Sequence, residues 1–409
     1  MTRDEIKREV MAIPNHNILL QLSTGVGKTS LALSLVSRQL QQTPEHLRKV
    51  LIVYPKNVLV NDWMAEINKW HHEWILPYIT FTNYASLHKH AVDDKGIQIK
   101  YTTLIFDEGH HLSEAKRAIV KGYSSQYNIL LSATIGKDMM WELKSLFPGL
   151  YVYKIGIKTA IEEDILPEPT IVRIPLRLSM FNHPQQWIIN PKATKKCLKK
   201  YPLNKTAYWK LKRSDKHTQY IMEGTTTEYC QLQDSLIEFY KSRNGNIRMR
   251  NIWLQMCTKR LHWLAMLKNN VVLRILKVLD DSKTLTFCSN IEQAEILSPN
   301  AIHSGNENAM QLKDAFNAGE IKHISSINIL SEGANLTECK YGIWARYNAS
   351  EIAIFQKQGR ILRHKNPVMI LPYFINTREE ELVNKMCAGN GTTKIITLDT
   401  KDIDKIKRL

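Results

Sequence analysis

Short apolar runs recur along the chain, each followed by a longer stretch with helical spacing. Residues 17–22 (Asn-Ile-Leu-Leu-Gln-Leu) predict a buried strand, and residues 29–41 an amphipathic helix. The motif repeats as a strand over 49–53 and a helix over 58–70, then as strands at 103–106 and 128–131. Strands alternating with helices predict an α/β fold with a parallel sheet. Residues 161–169 are acidic and carry Pro167 and Pro169, so a linker is expected over 156–170, between domains at 1–155 and 171–409. The second half starts a new α/β series: strands at 171–178, 284–288, 301–305 and 327–330, and a helix at 291–297. Leucines and tryptophans at three- and four-residue spacing predict helix over 251–279. A basic, largely helical insertion is expected at about 185–270.

Composition narrows the class. The 409 residues are too many for one comfortable core and suit two domains. An apolar content of 44% is that of a globular protein. There is no run of about eighteen apolar residues and no signal-like N-terminus, so a protein without membrane contact is expected. The six cysteines form no Cys-x-x-Cys pair, which favours reduced thiols over zinc or disulfides, in the cytoplasm of a bacterial or phage-infected cell or in a eukaryotic nucleus. The formal charge of +17 is uneven: residues 151–280 hold 23 Lys and Arg against 10 Asp and Glu. Such concentration points to a polyanion, nucleic acid above all. Within 192–216, ten basic residues alternate with Tyr201, Tyr208 and Trp209, a composition suited to phosphates and base faces.

Three stretches carry chemistry. After the first strand, Thr24-Gly25-Val26-Gly27-Lys28-Thr29-Ser30 opens a helix, the context of a triphosphate-binding loop. Lys28 is placed to neutralise the β- and γ-phosphates of ATP, and Thr29 to reach Mg²⁺. Leu22 stands where the general pattern has a glycine. Asp107-Glu108 follows the strand at 103–106, at the strand end where parallel sheets place their chemistry. Asp107 is expected to hold Mg²⁺ and Glu108 to orient and deprotonate the attacking water. Ser132-Ala133-Thr134 ends the next strand, where its hydroxyls can bond to the acidic segment. In Gln356-Lys357-Gln358-Gly359-Arg360-Ile361-Leu362-Arg363, the two arginines share a helix face and can both meet one anion. The His71-His72 and His110-His111 pairs lack the spacing of a metal site.

Taken in order, these stretches resemble the boxes of superfamily-2 DExH helicases and translocases, in a form similar to Swi/Snf-type or phage-type DNA helicases. Ser23 to Thr29 match the first box. Tyr54-Pro55-Lys56 with Asn61-Asp62-Trp63 and Lys69-Trp70 match the next, and Thr82-Asn83-Tyr84 resembles a nucleic-acid box. Asp107 to His110 is a DExH version of the Mg²⁺ box. Phe287-Cys288-Ser289-Asn290, Ser331 to Leu336 and Gln356 to Arg363 resemble the second-domain boxes. The resemblance implies two tandem RecA-like domains that close on ATP. It implies that Glu332, Gly333, Gln356, Arg360 and Arg363 complete the ATP site. It also implies that Pro55, Lys56, Tyr84, Ser132, Thr134, Asn290, Ser304 and Asn335 meet nucleic acid. A glutamine box that reads adenine is not recognisable before Asn17. The expected activity is ATP-driven movement on DNA by a monomer, with any replication or recombination partners unidentified. An RNA helicase, a P-loop kinase or NTPase uncoupled from nucleic acid, and a non-catalytic binder on the same scaffold are the rivals.

Overall fold

The computed structural model describes residues 1–55, 59–181, 185–189, 210–213, 220–243, 245–327, 336, 339–347, 364–389 and 391–409. Runs of apolar residues with no exposed face favour parallel strands covered on both sides. The first half obeys this with β1 (Asn17–Leu22), β2 (Val50–Tyr54), β3 (Ile79–Asn83), β4 (Lys100–Phe106), β5 (Ser124–Ser132) and β6 (Tyr151–Ile155). They form a sheet in the order β3-β2-β4-β5-β1-β6, every pairing parallel. Helices α1 (Arg3–Ala12), α2 (Lys28–Gln41), α3 (Leu59–Lys69), α4 (Glu114–Val120), α5 (Lys137–Leu146) and α6 (Ile157–Glu162) connect and flank these strands. Ile6, Leu35, Trp63 and Ile161 from α1, α2, α3 and α6 pack on one sheet face, against Ile18, Ile52 and Ile129. Val120 of α4 and Leu143 of α5 cover the other face, against Leu19, Leu51, Leu104 and Leu130.

The stretch expected as a linker is not an open connection along its length. Helix α6 and the following Ile165 and Leu166 bury their apolar side chains in the first core. The next strand, β7 (Thr170–Leu176), already belongs to a second sheet. The chain therefore changes cores within residues 167–169. The two prolines there provide no backbone N–H that a sheet would need.

Among its described residues, the segment expected as a largely helical insertion also carries strands. It contains an antiparallel sheet of β8 (Gln185–Ile189), β9 (Lys210–Arg213) and β10 (Tyr220–Gly224), followed by α7 (Thr226–Lys241) and α8 (Ile247–Leu267). After α9 (Asn269–Val278) come β11 (Thr284–Phe287), α10 (Ile291–Leu297), β12 (Ala301–Ile302), α11 (Ala309–Ala318), β13 (His323–Ser326), β14 (Tyr341–Trp344), β15 (Val368–Phe374), α12 (Arg378–Gly389) and β16 (Ile395–Thr397). The second sheet runs β12-β13-β11-β14-β15-β7-β16, and its pairings are parallel. Among the described residues no helix is long and apolar enough to cross a membrane.

Periodicity over 251–279 predicts one helix, yet the chain breaks between α8 and α9 at Lys268. A buried ion pair sits at this break. Lys268 Nζ lies 2.7 Å from Glu379 Oε1, and both side chains are fully buried. The same ammonium donates to the Pro372 carbonyl at 3.3 Å and lies 4.6 Å from the Tyr347 ring centre. Glu379 Oε2 accepts from the Phe374 amide at 3.1 Å. Burial pushes Lys268 down and Glu379 up, and each charge opposes the shift of the other. Removing one partner strands the other in the core, so Lys268→Met is expected to cost about 3–5 kcal/mol in denaturant unfolding. The double variant Lys268→Met/Glu379→Gln keeps an acceptor for Phe374 and should be more stable than Lys268→Met alone. A double variant less stable than that single one would contradict this assignment.

Candidate nucleotide site

Sheet order decides which sequence-distant residues meet. Strands β4, β5 and β1 are adjacent and parallel, so their C-terminal ends bring Asp107, Ser132 and the loop before Lys28 to one edge. Between β1 and α2, Gly25 and Gly27 have φ of 96° and 109°, a region L side chains rarely adopt. Gly27 caps α2 without a side-chain hydrogen bond, which leaves helix-start amides for a ligand. Lys28 Nζ donates to the Leu22 carbonyl at 3.1 Å, back across the loop. Arg3 of α1 donates to the Gly25 carbonyl at 3.3 Å, a brace with no signature in the sequence. Thr24, Thr29 and Ser30 are half-buried along this loop. Val26 is buried, and its amide is used within the loop on Ser23 at 3.2 Å.

Asp107 is half-buried at the end of β4. Trp63 Nε1 donates to its Oδ2 at 3.1 Å, and the Glu108 amide donates to its Oδ1 at 3.0 Å. Burial, followed by the charge of Glu108, pushes Asp107 up to about 7; the Trp63 bond and the Lys28 charge pull the other way. Glu108 takes a left-handed conformation with φ of 50°, uncommon for a residue with a side chain. Among the described residues its Oε2 makes no hydrogen bond, and it lies 3.4 Å from His110 Nδ1. That nitrogen also lies 3.2 Å from Ser132 Oγ, and Ser132 donates to the Thr134 carbonyl at 3.0 Å. Thr134 Oγ1 is buried without a hydrogen-bond partner.

Two residues expected to meet nucleic acid lie elsewhere. Tyr84 is buried, and its hydroxyl donates to the Asp107 carbonyl at 2.8 Å. Burial and the neighbouring carboxylates hold that phenol well above its ordinary range, so it stays a neutral donor. Ser132 is likewise fully buried. Both hydroxyls are spent on the acidic segment rather than on a surface. Pro55 is half-buried and Ser304 exposed. Asn290 caps α10, accepting from the Gln293 amide at 3.0 Å. Lys56, Glu332, Gly333, Asn335, Gln356, Arg360 and Arg363 lie outside the described residues. So do 192–209, 214 and 216 of the basic stretch; 210–213 form β9.

Trp63 is the residue that sequence reasoning placed in a box without a task. Leu59, Trp63 and Ile67 are buried at four-residue spacing, a pattern that reads as core. Only the position of its indole N–H reveals the polar task.

The residues fit a nucleotide with a divalent cation. The loop offers amides and an ammonium to phosphates, while Asp107 is a half-buried carboxylate held by neutral donors and suited to a cation. Without one, its raised value means that the folded protein binds a proton more readily than the unfolded chain. The corresponding stability is present below pH 3.8 and lost as pH rises to about 7. Asp107→Asn removes this cost. It is expected to stabilise the ligand-free protein by about 1–3 kcal/mol at pH 8, with the gain shrinking towards pH 5. Chemical unfolding at both pH values measures it, and a gain that does not shrink would contradict the raised value.

Known proteins match in the same order. The family profile described as Type III restriction enzyme, res subunit, matches residues 4–75, and the helicase conserved C-terminal domain matches residues 267–365. The DNA 3'-5' translocase XPB2 of Sulfurisphaera tokodaii is 32% identical over 151 residues, 34% of this chain. The match spans about a third (32%) of that relative's length. Dbp5 of S. cerevisiae, bound to RNA and ADP BeF3, has the same fold with a TM-score of 0.62 and 10% identity, over 99% of this chain and 91% of that one. The ATP-dependent Type ISP restriction-modification enzyme LlaBIII, bound to DNA, gives a TM-score of 0.57 and 14% identity, over 97% of this chain and 31% of that one. Two parallel-sheet units, a glycine loop before Lys28, an Asp-Glu-Gly-His segment and both profiles in sequence order make the chain similar to superfamily-2 helicases and translocases.

Proposed function

We propose that the chain hydrolyses ATP with Mg²⁺ to drive movement along DNA, by duplex translocation, unwinding or branch remodelling. The observation that carries this reading is the convergence of Lys28, Asp107 and Glu108 on one sheet edge, with Glu108 held in a left-handed conformation. In this reading residues 1–155 hold the nucleotide. The loop from Thr24 to Ser30 binds the phosphates, Lys28 neutralises them, and Thr29 and Asp107 hold the cation. ATP with its Mg²⁺ supplies a phosphoryl group whose charge is already partly neutralised. Glu108 orients the attacking water and takes its proton, and His110 passes the state of Glu108 to Ser132. From residues 171–409, Gln356, Arg360 and Arg363 approach the transferring phosphoryl group, beside Glu332 and Gly333. Stabilisation of that kind is worth about 10³–10⁵ in rate.

The DNA preference is supported by the relative that is named a DNA translocase. The concentrated positive charge of residues 151–280 fits any nucleic acid. On this reading Pro55, Lys56, Thr134, Asn290, Ser304 and Asn335 remain the candidates for the backbone track. RNA is the second reading; the likeness to an RNA-bound protein is one of fold alone.

Lys28→Ala and Glu108→Gln should each lower ATP turnover by about 10²-fold or more while the melting temperature stays near that of the wild type. Undiminished turnover in either variant would sink the assignment. Affinity for a duplex should fall at least about 10²-fold between roughly 50 and 200 mM salt, because bound counterions are released. A flat salt response would count against phosphate contacts.

A further inference from the structure

Asp62 and Trp63 are consecutive on α3 but serve different partners. Trp63 lies on the buried face, where its indole N–H reaches the Asp107 carboxylate at 3.1 Å. One residue back, about 100° around the helix, Asp62 Oδ1 lies 3.5 Å from Lys313 Nζ. Lys313 belongs to α11, on the second sheet. Its side chain is only 10% exposed and that of Asp62 23%. One short helix therefore grips the second unit at one position and the candidate cation carboxylate at the next.

We propose that Asp62 and Lys313 form a latch that registers closure of the two units, with Trp63 as the positioning residue that passes closure to Asp107. The proposal rests on the ATP-driven cycle proposed above. The pair can form only while α11 lies against α3, so it rewards the closed arrangement alone. Shielding from water makes it stronger than a surface pair and less sensitive to salt. When the units part, water solvates both groups, which keeps the latch reversible. Helix α3 is held by Leu59, Trp63 and Ile67 in the first core, so a pull at Asp62 moves the indole rather than a loose side chain. Coupling of this kind is reciprocal. A cation on Asp107 favours the closed pair, and the closed pair favours a cation on Asp107. Trp63 touches no reacting atom; it aims the group that does.

The test uses the full chain with saturating duplex DNA, measuring ATP turnover against Mg²⁺ concentration. Asp62→Lys and Lys313→Asp should each lower kcat about tenfold and raise the Mg²⁺ concentration for half-maximal rate severalfold. The double reversal should return both quantities to within about threefold of the wild type. Trp63→Phe keeps the ring and loses the donor; it should raise the Mg²⁺ requirement, and adding Asp62→Lys should then raise it little further. Should a reversal unfold the protein in a melting experiment, Asp62→Asn and Lys313→Gln serve in the same cycle of single and double variants. Wild-type turnover with no restoration in the double variant, or with additive effects of Trp63→Phe and Asp62→Lys, overturns the latch alone. A wild-type protein that hydrolyses no ATP overturns the functional reading and the latch with it.

Discussion

A half-buried carboxylate at a sheet edge is the constraint on which this molecule turns. Asp107 sits where β4 ends, largely shielded from water, with two N–H donors on its oxygens and the Tyr84 hydroxyl on its carbonyl. Neutral donors offset only part of the cost of burying a charge. Without a cation the group takes a proton up to about pH 7, and Glu108 beside it adds to that pressure. The surrounding elements make sense as the frame that holds this group ready. Strands β1, β4 and β5 set its position, α3 supplies the indole, and the loop before α2 supplies Lys28.

The second unit repeats the parallel-sheet solution with a different internal anchor. Its buried Lys268–Glu379 pair joins the α8–α9 junction to the start of α12 and the end of β15. Arg346, just after β14, donates to the Ser289 carbonyl at 3.1 Å, and Ser289 Oγ lies 2.6 Å from His262 Nδ1 of α8. The end of β11 is thus tied to α8, the last helix of the inserted segment. Sheet edge, inserted helices and C-terminal helix are connected by polar contacts buried or half-buried within one unit.

Much of this was legible in the sequence where the signal is local. Residues 17–22, 49–53, 103–106 and 128–131 are continuous apolar runs, and each proved to be a central strand because a strand covered on both faces leaves no room for alternation. The phosphate loop was legible because Gly25 and Gly27 take backbone conformations that demand glycine. Strands β3, β6 and β15 were not. Residues of β3 and β6 are partly exposed and break the apolar run, and β15 contains Pro372, which argues against a strand on sequence grounds. Of the strand expected at 327–330, residues 328–330 lie outside the described residues; β13 occupies His323–Ser326, where the polarity of His323 hides it. The site was legible as a set of residue types, but not as a set of contacts. Tyr84 is expected from the resemblance to meet nucleic acid, and only the packing shows it turned inward on Asp107; the bond of Ser132 towards the acidic segment was legible from its place at a strand end. Trp63 reads as core, and the helical periodicity over 251–279 gives Lys268 no task, whereas each carries a buried polar task set by a residue far along the chain.

The most direct test of the central claim is the steady-state rate of ATP hydrolysis by the wild-type chain, measured alone and with duplex, forked and single-stranded DNA and with RNA in parallel. A motor coupled to DNA should hydrolyse ATP slowly alone, be stimulated at least about tenfold by one of the DNA forms, and be stimulated less by RNA. A rate that is high without nucleic acid and indifferent to every form added would contradict the account.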